Sequence, residues 1–170
     1  DVAFAQSGWF WQNPLPTGNQ LNGVSFTDAN TGTAVGWNRT ILRTTNGGLN
    51  WTRQSSGTTY DLWGVSFTDA NTGTAVGDGG TVLRTTNGGL NWTRQSSGTW
   101  ESLLDVSFTD ANTGTAVGLG GTIIRTTNGG LNWTSQSSGT TQHLYGVSFT
   151  DANRGTAVGS NGTILRTTNG

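Results

Sequence analysis

One spelling returns along this chain at a fixed interval of 41 residues: RTTNGGLNWT occupies 43–52, 84–93 and 125–134, and RTTNG stands at 166–170. Other columns keep the same interval without an insertion, among them Phe26, Phe67, Phe108 and Phe149, and Gly36, Gly77, Gly118 and Gly159. A strict period of this size makes one repeat the unit of structure. Such a unit is too small to bury its own apolar surface, so neighbouring repeats must stack to form a core. Composition alone leans the other way, because 31% hydrophobic residues and 28 glycines approach the values of chains that stay unfolded. The eight tryptophans argue for a fold. A disordered spacer gives no reason for Trp, Phe, Val, Ile and Leu to hold fixed columns.

Over residues 62–95 the repeat reads as the runs VSF, TAVG, TVLRT and NWTRQ, separated by TDANTG, DGG and a TNGG stretch. Short runs rich in Val, Thr and aromatics, bounded by Asn, Asp and Gly, are strands joined by tight turns, and none is long enough for a helix. Four antiparallel strands in 41 residues is the pattern of a β-propeller blade. The pairs Ile41-Leu42, Val82-Leu83, Ile123-Ile124 and Ile164-Leu165 put apolar side chains on both faces of one strand, as a sheet covered by neighbours on both sides requires. The expected fold is therefore an all-β propeller of four four-stranded blades, with repeats at about 9–50, 51–91, 92–132 and 133–170. The segment WFWQ at 9–12 matches the fourth-strand segment WTRQ at 51–54, whereas TILRTT at 163–168 reads as a third strand with no fourth strand after it. The N-terminal strand is expected to complete the last blade and hide its edge. Residues 1–8 read as a leader or the remnant of an export signal, since Ala3-Phe4-Ala5 has the A-x-A form of a signal-peptide cleavage site. An exported location, periplasmic, cell-surface or extracellular, is the expectation.

The stretch Thr44-Thr45-Asn46-Gly47-Gly48-Leu49-Asn50-Trp51 resembles the Asp-box hairpin of many propellers, with Asn in place of the usual Asp. The residues expected to carry its structural role are Asn46 and Trp51, Asn87 and Trp92, Asn128 and Trp133, and Asn169. An Asx side chain accepts backbone N–H bonds within a turn, and a large apolar ring fills the gap between blades. The whole repeat, LxGVSFTDANTGTAVGxxGTILRTTNGGLNW, is similar to the photosystem II assembly and stability factor family, of the BNR-repeat type. This resemblance covers nearly the entire chain and implies the propeller fold. Relatives of this kind in non-photosynthetic bacteria are mostly exported, and the function expected from this chain's own residues is that of a non-catalytic, exported binding or scaffolding module.

Antiparallel succession places the TDANTG turn and the Asp-box at one end of every blade, and these are spelled almost identically throughout. The opposite end is built from the linker before the first strand and the hairpin between the second and third. There the repeats differ: TGNQLN, TTYDLW, TWESLL and TQHLY in the linker, and GWNR, GDGG, GLGG and GSNG in the hairpin. Trp37, Tyr60, Asp61, Trp63, Trp100, Glu101, His143 and Tyr145 all fall on this end. Loops held on a rigid scaffold are where binding residues gather, and drift in unconstrained loops leaves the same variation. The eight residues form the candidate surface for a protein or glycan partner.

Other function classes fit less well. A net charge of −1, no lysine and eight scattered arginines provide no basic stripe for nucleic acid, and no apolar run reaches the length that spans a bilayer as a helix. No cofactor and no metal are expected: His143 is the only histidine and there is no cysteine. Asp28-x-Asn30-x-Gly32 begins like a calcium loop, but the position of the bidentate Glu holds Arg39, and Gly80 and Gly121 in the next repeats, so an Asx turn is the better reading. A sialidase-like glycosidase is the enzyme alternative. It is disfavoured by a single Glu, two Tyr and arginines of which half share one repeated column, and Arg43, Arg84, Arg125 and Arg166 are expected to stack or pair between blades. N-x-[ST] sequons at Asn38, Asn50, Asn91, Asn132 and Asn161 are candidate glycosylation sites in an exported chain. A second alternative is a structural subunit of a surface or filamentous assembly, formed when the N-terminal strand adds to a neighbouring chain.

Overall fold

The computed structural model describes residues 8, 9, 11, 12 and 14–170. The leader reading falls almost wholly on residues outside that range. The first blade holds β1 (Leu21–Phe26), β2 (Gly32–Gly36), β3 (Thr40–Thr44) and β4 (Thr52–Gln54). The second holds β5 (Leu62–Phe67), β6 (Gly73–Gly77), β7 (Thr81–Thr85) and β8 (Thr93–Gln95), and the third β9 (Leu103–Phe108), β10 (Gly114–Gly118), β11 (Ile123–Thr126) and β12 (Thr134–Gln136). The fourth holds β13 (Leu144–Phe149), β14 (Gly155–Gly159) and β15 (Ile164–Thr167). In each blade the strands pair in sequence order and antiparallel. Every first strand carries a register irregularity in its opening residues, as between Leu21 and Gly23.

The core lies between blades. Val35 and Ile41 of the first blade pack with Leu62, Val65, Ala75, Leu83 and Trp92 of the second. Val76 and Val82 of the second pack with Leu103, Val106, Ala116 and Ile124 of the third. Val117 of the third meets Leu144 and Ala157 of the fourth. This arrangement explains the fully buried GTAVG strands β2, β6 and β10: their small side chains let two sheets approach a shared layer. Gly32 is one place where closeness decides the residue, since a Cβ there would stand 2.5 Å from the Phe26 ring.

The four blades form an open arc. The first strands stack in succession, β1 on β5, β5 on β9 and β9 on β13, and β1 and β13 make no comparable contact. The fourth sheet has three strands among the described residues. Trp9 and Trp11 lie outside any strand, at 106% and 82% exposure, so the expected closure by the N-terminal segment is not among the described pairings.

Candidate functional site

The register puts the variable segments on one end. The backbone N–H of Trp37 donates to the Gln20 carbonyl at 2.9 Å, and Asp78 to Asp61 at 3.0 Å, Leu119 to Ser102 at 3.0 Å and Ser160 to His143 at 2.8 Å repeat this bond. Linker and hairpin of each blade are thus tied side by side at the upper end. The constant turns meet at the lower end, where Gly47 N–H donates to Asn30 O at 2.9 Å and Gly88 N–H to Asn71 O at 2.9 Å.

The lower end is a set of self-satisfied turns. Asp28 Oδ1 accepts from the N–H groups of Asn30 at 2.7 Å and Thr31 at 3.0 Å, so its carboxylate serves an Asx turn. These backbone donors, that of Asn30 foremost, hold Asp28 below the usual carboxylate range, and Asp69, Asp110 and Asp151 are held down in the same way. In the Asp-box, Asn46 Oδ1 accepts from Asn50 N–H at 3.0 Å and from Thr44 Oγ1 at 3.0 Å. Asn87 and Asn128 do the same in the next two blades. Trp51, Trp92 and Trp133 stand edge-on to Phe26, Phe67 and Phe108 at 6.1, 5.9 and 6.0 Å. Asn169 takes the equivalent bond from Thr167 Oγ1 at 3.1 Å.

An arginine comb ties these ends across the blades. Arg43 donates to Thr33 Oγ1 at 2.9 Å within its blade and to the Ala70 carbonyl of the next, and its guanidinium lies 5.0 Å from the Phe67 ring centre. Arg84 reaches Ala111 and Phe108, and Arg125 reaches Ala152 and Phe149, in the same way. Burial lowers the pKa of Arg43 and Arg84 from its ordinary value.

The upper end mixes braced and free side chains. Asp61 Oδ1 accepts the Asn38 N–H of the preceding blade at 2.8 Å, and His143 Nδ1 accepts the Gly120 N–H at 3.0 Å. These two residues, one repeat column two blades apart, are committed to joining blades. Trp63 is braced by donating its indole N–H to Asp78 Oδ1 at 2.8 Å, and Tyr145 by accepting from Ser160 Oγ at 2.9 Å. The Tyr60 ring lies under Arg94, 5.6 Å away. Trp37 and Tyr145 are 43% and 56% exposed, and Trp100, at 84%, stands out of the linker beside the exposed Glu101. Of the sequon residues, Asn38 and Asn161 spend their side-chain amides on Asn19 and Gln142 at 3.0 and 2.7 Å, whereas Asn50, Asn91 and Asn132 are exposed.

One residue escaped sequence reasoning. Asp105 occupies the column held by Gly23, Gly64 and Gly146. Its Oδ1 accepts from Val106 N–H and its Oδ2 from Val147 N–H of the next blade, both at 2.8 Å. Burial pushes this carboxyl up, against the pull of the Val147 and Val106 donors. A charge standing in a glycine column was the signal that could have found it.

The repeat, the blade topology and the lower-end turns meet in one set of relatives. A profile for the photosynthesis system II assembly factor YCF48 matches residues 3–99, more than half of the chain. The chain belongs to this family. Among solved structures, "YCF48 bound to D1 peptide" matches with a TM-score of 0.72 and 26% identity over 86% of this chain and 48% of that one. YCF48 from Cyanidioschyzon merolae gives 0.73 and 28%, over 90% and 54%. The chain spans about half the length of these two family structures. A GH74 enzyme from Niastella koreensis, at 0.72 but 15% identity, shares the fold alone. No curated protein matches the sequence.

Proposed function

We propose that this chain is an exported, non-catalytic propeller module that binds a polypeptide partner across the upper end of its blades, as an assembly or scaffolding factor. The observation that carries the reading is the gathering of Trp37, Tyr60, Trp63, Trp100 and Tyr145 on the one end whose sequence varies, in a family with a member bound to a peptide. Aromatic side chains supply large contact area for little conformational entropy, and bracing lowers that cost further. Trp63 and Tyr145 are held ready by Asp78 and Ser160, and exposed Trp100 offers a ring for stacking.

A peptide array paired with a glycan array tests it. Peptide binding is expected, and Trp100→Ala and Trp63→Ala are each expected to weaken it about 30-fold, the loss typical of an aromatic hot spot. Binding unchanged in both variants rejects the surface. Binding to glycans and to no peptide rejects the partner class.

A further inference from the structure

Every first strand carries one residue that the ladder skips. Asn22, Trp63, Leu104 and Tyr145 have no partner in the register with the second strand of their blade. An extra residue of this kind bends the strand and re-aims its own side chain. In two blades the re-aimed side chain meets the residue that opens the hairpin after the second strand: Trp63 donates to Asp78 at 2.8 Å, and Tyr145 accepts from Ser160 at 2.9 Å. The two contacts join the same pair of repeat positions, two blades apart.

The third blade fills these positions with Leu104 and Leu119. Neither side chain can make a hydrogen bond, and both are half-buried. The second and fourth blades cover the third on both faces, so what the leucines expose is upper-end surface. The pair stands between the two braced aromatics. On one side the first strands of the second and third blades nearly touch: a Cβ added to Gly64, next to Trp63, would be 2.8 Å from Asp105 Cα and 3.2 Å from the Leu104 carbonyl oxygen. On the other side the turn Leu119–Gly121 packs on β13, the strand of Tyr145, and Gly120 N–H reaches His143 Nδ1 at 3.0 Å. First strands stack on first strands, so Trp63, the leucine pair and Tyr145 follow one another along the inner rim of the upper end.

Charge marks the same stretch. Asp78 accepts the Trp63 indole N–H and has no ion-pair partner among the described residues. Arg53 and Arg94 stand on β4 and β8, at the far edge of each sheet from its first strand. The inner rim thus offers an apolar seat with a carboxylate one blade away.

We infer that Leu104 and Leu119 form a specificity-determining seat, which takes an apolar side chain of the partner polypeptide while Asp78 takes a lysine or arginine a few residues from it. This rests on the reading that a polypeptide binds the upper end, and deepens it. A leucine pair leaves a polar side chain without a hydrogen bond, which is costly once water is excluded, whereas an apolar side chain gains by leaving water. Trp63 and Tyr145 contribute rings already fixed by their hairpins, so little side-chain freedom is lost in flanking the guest. The charge pairing at Asp78 sets the register of the segment more than its affinity.

Fluorescence anisotropy with a positional-scanning peptide library tests the seat. The native chain is expected to select pools with Leu, Ile, Val, Met or Phe at one position and Lys or Arg at a nearby one. Leu104→Tyr combined with Leu119→Ser copies the pair that the fourth blade already holds, and is expected to fold with unchanged circular dichroism. It is expected to lose the apolar preference and to bind the selected peptide about tenfold more weakly. If the double variant does not fold, Leu119→Ser alone carries the same expectation. Asp78→Asn keeps an oxygen for the Trp63 N–H and is expected to lose only the preference for Lys or Arg. Leu131→Ser, at a leucine 77% exposed on the lower end, is expected to bind as the native chain does. Equal binding of the selected peptide by the folded leucine variant overturns the inference and leaves the polypeptide reading standing, as does a native preference for Asp or Glu beside the apolar residue. If the native chain binds no pool, the polypeptide reading fails and the seat falls with it.

Discussion

Ile41 and Ile164 occupy the same column of the same repeat, yet one is fully buried and the other 72% exposed. Their strands β3 and β15 carry nearly the same spelling, TILRT and ILRT. The difference is made by the neighbour: Ile41 packs into the core shared with the second blade, and Ile164 faces outward from the last one. Burial in a repeat protein is thus a property of the junction. A residue contributes to stability only where a second repeat covers it.

That comparison can be broken by making one substitution at both positions. Ile41→Ala is expected to cost about 2–5 kcal/mol, for lost transfer energy plus a cavity that blades on either side prevent from collapsing. Ile164→Ala, in the single arc, is expected to stay within about 0.5 kcal/mol. Equal losses in urea titrations of the two variants would mean that the trailing face is covered in solution.

The arginine comb gives a smaller contrast. Arg84→Ala removes donors to Thr74 and Ala111 and the contact with Phe108, and is expected to cost about 1.5–3 kcal/mol. Arg166→Ala is expected to cost the single arc almost nothing, which the same titrations will read.

A third contrast lies in the hairpins. Asn38 and Arg39 both hold positive φ, 53° and 54°, where the second blade has Gly79 and Gly80. A non-glycine residue pays steric strain there, partly offset by its smaller backbone entropy loss. Arg39→Gly is expected to stabilise the first blade by about 0.5–1 kcal/mol, seen as a higher denaturation midpoint. No gain would show that the Arg39 side chain compensates for the strain.

The smallest expected effect is that of pH on the two kinds of aspartate. Asp28, Asp69, Asp110 and Asp151 have lowered pKa values in the fold, so their contribution is present above the ordinary carboxylate range and is lost as pH falls through the folded values. Asp105 is raised: its contribution is full below the ordinary value and is lost as pH rises through the folded one. The stability of Asp105→Gly relative to the native chain is therefore expected to improve between acid and neutral pH. Parallel pH profiles for the two proteins would remove Asp105 as the opposing group.

The strands, their order and the turns were legible in the sequence because they depend on local chemistry repeated in every copy. Alternating punctuation and apolar runs specify hairpins, and a strand with apolar residues on both faces, such as Ile41-Leu42, specifies a sheet covered on two sides. The end of each blade on which Trp37 and Trp100 fall followed from antiparallel succession alone. What the residues spend their polar groups on did not follow. Asp61 and His143 read as free contact residues, but each accepts a backbone N–H from the blade before it, a bond that exists only once two repeats stand side by side. Asp105 went unread in the sequence, and only stacking brings Val147 N–H within its reach. The sequence by itself determined a blade and a reason to stack it. Only the tertiary structure decided how far the stack curves, and so which copies of one column are buried and which two faces are left open, because that curvature is set by packing between repeats that no single repeat contains.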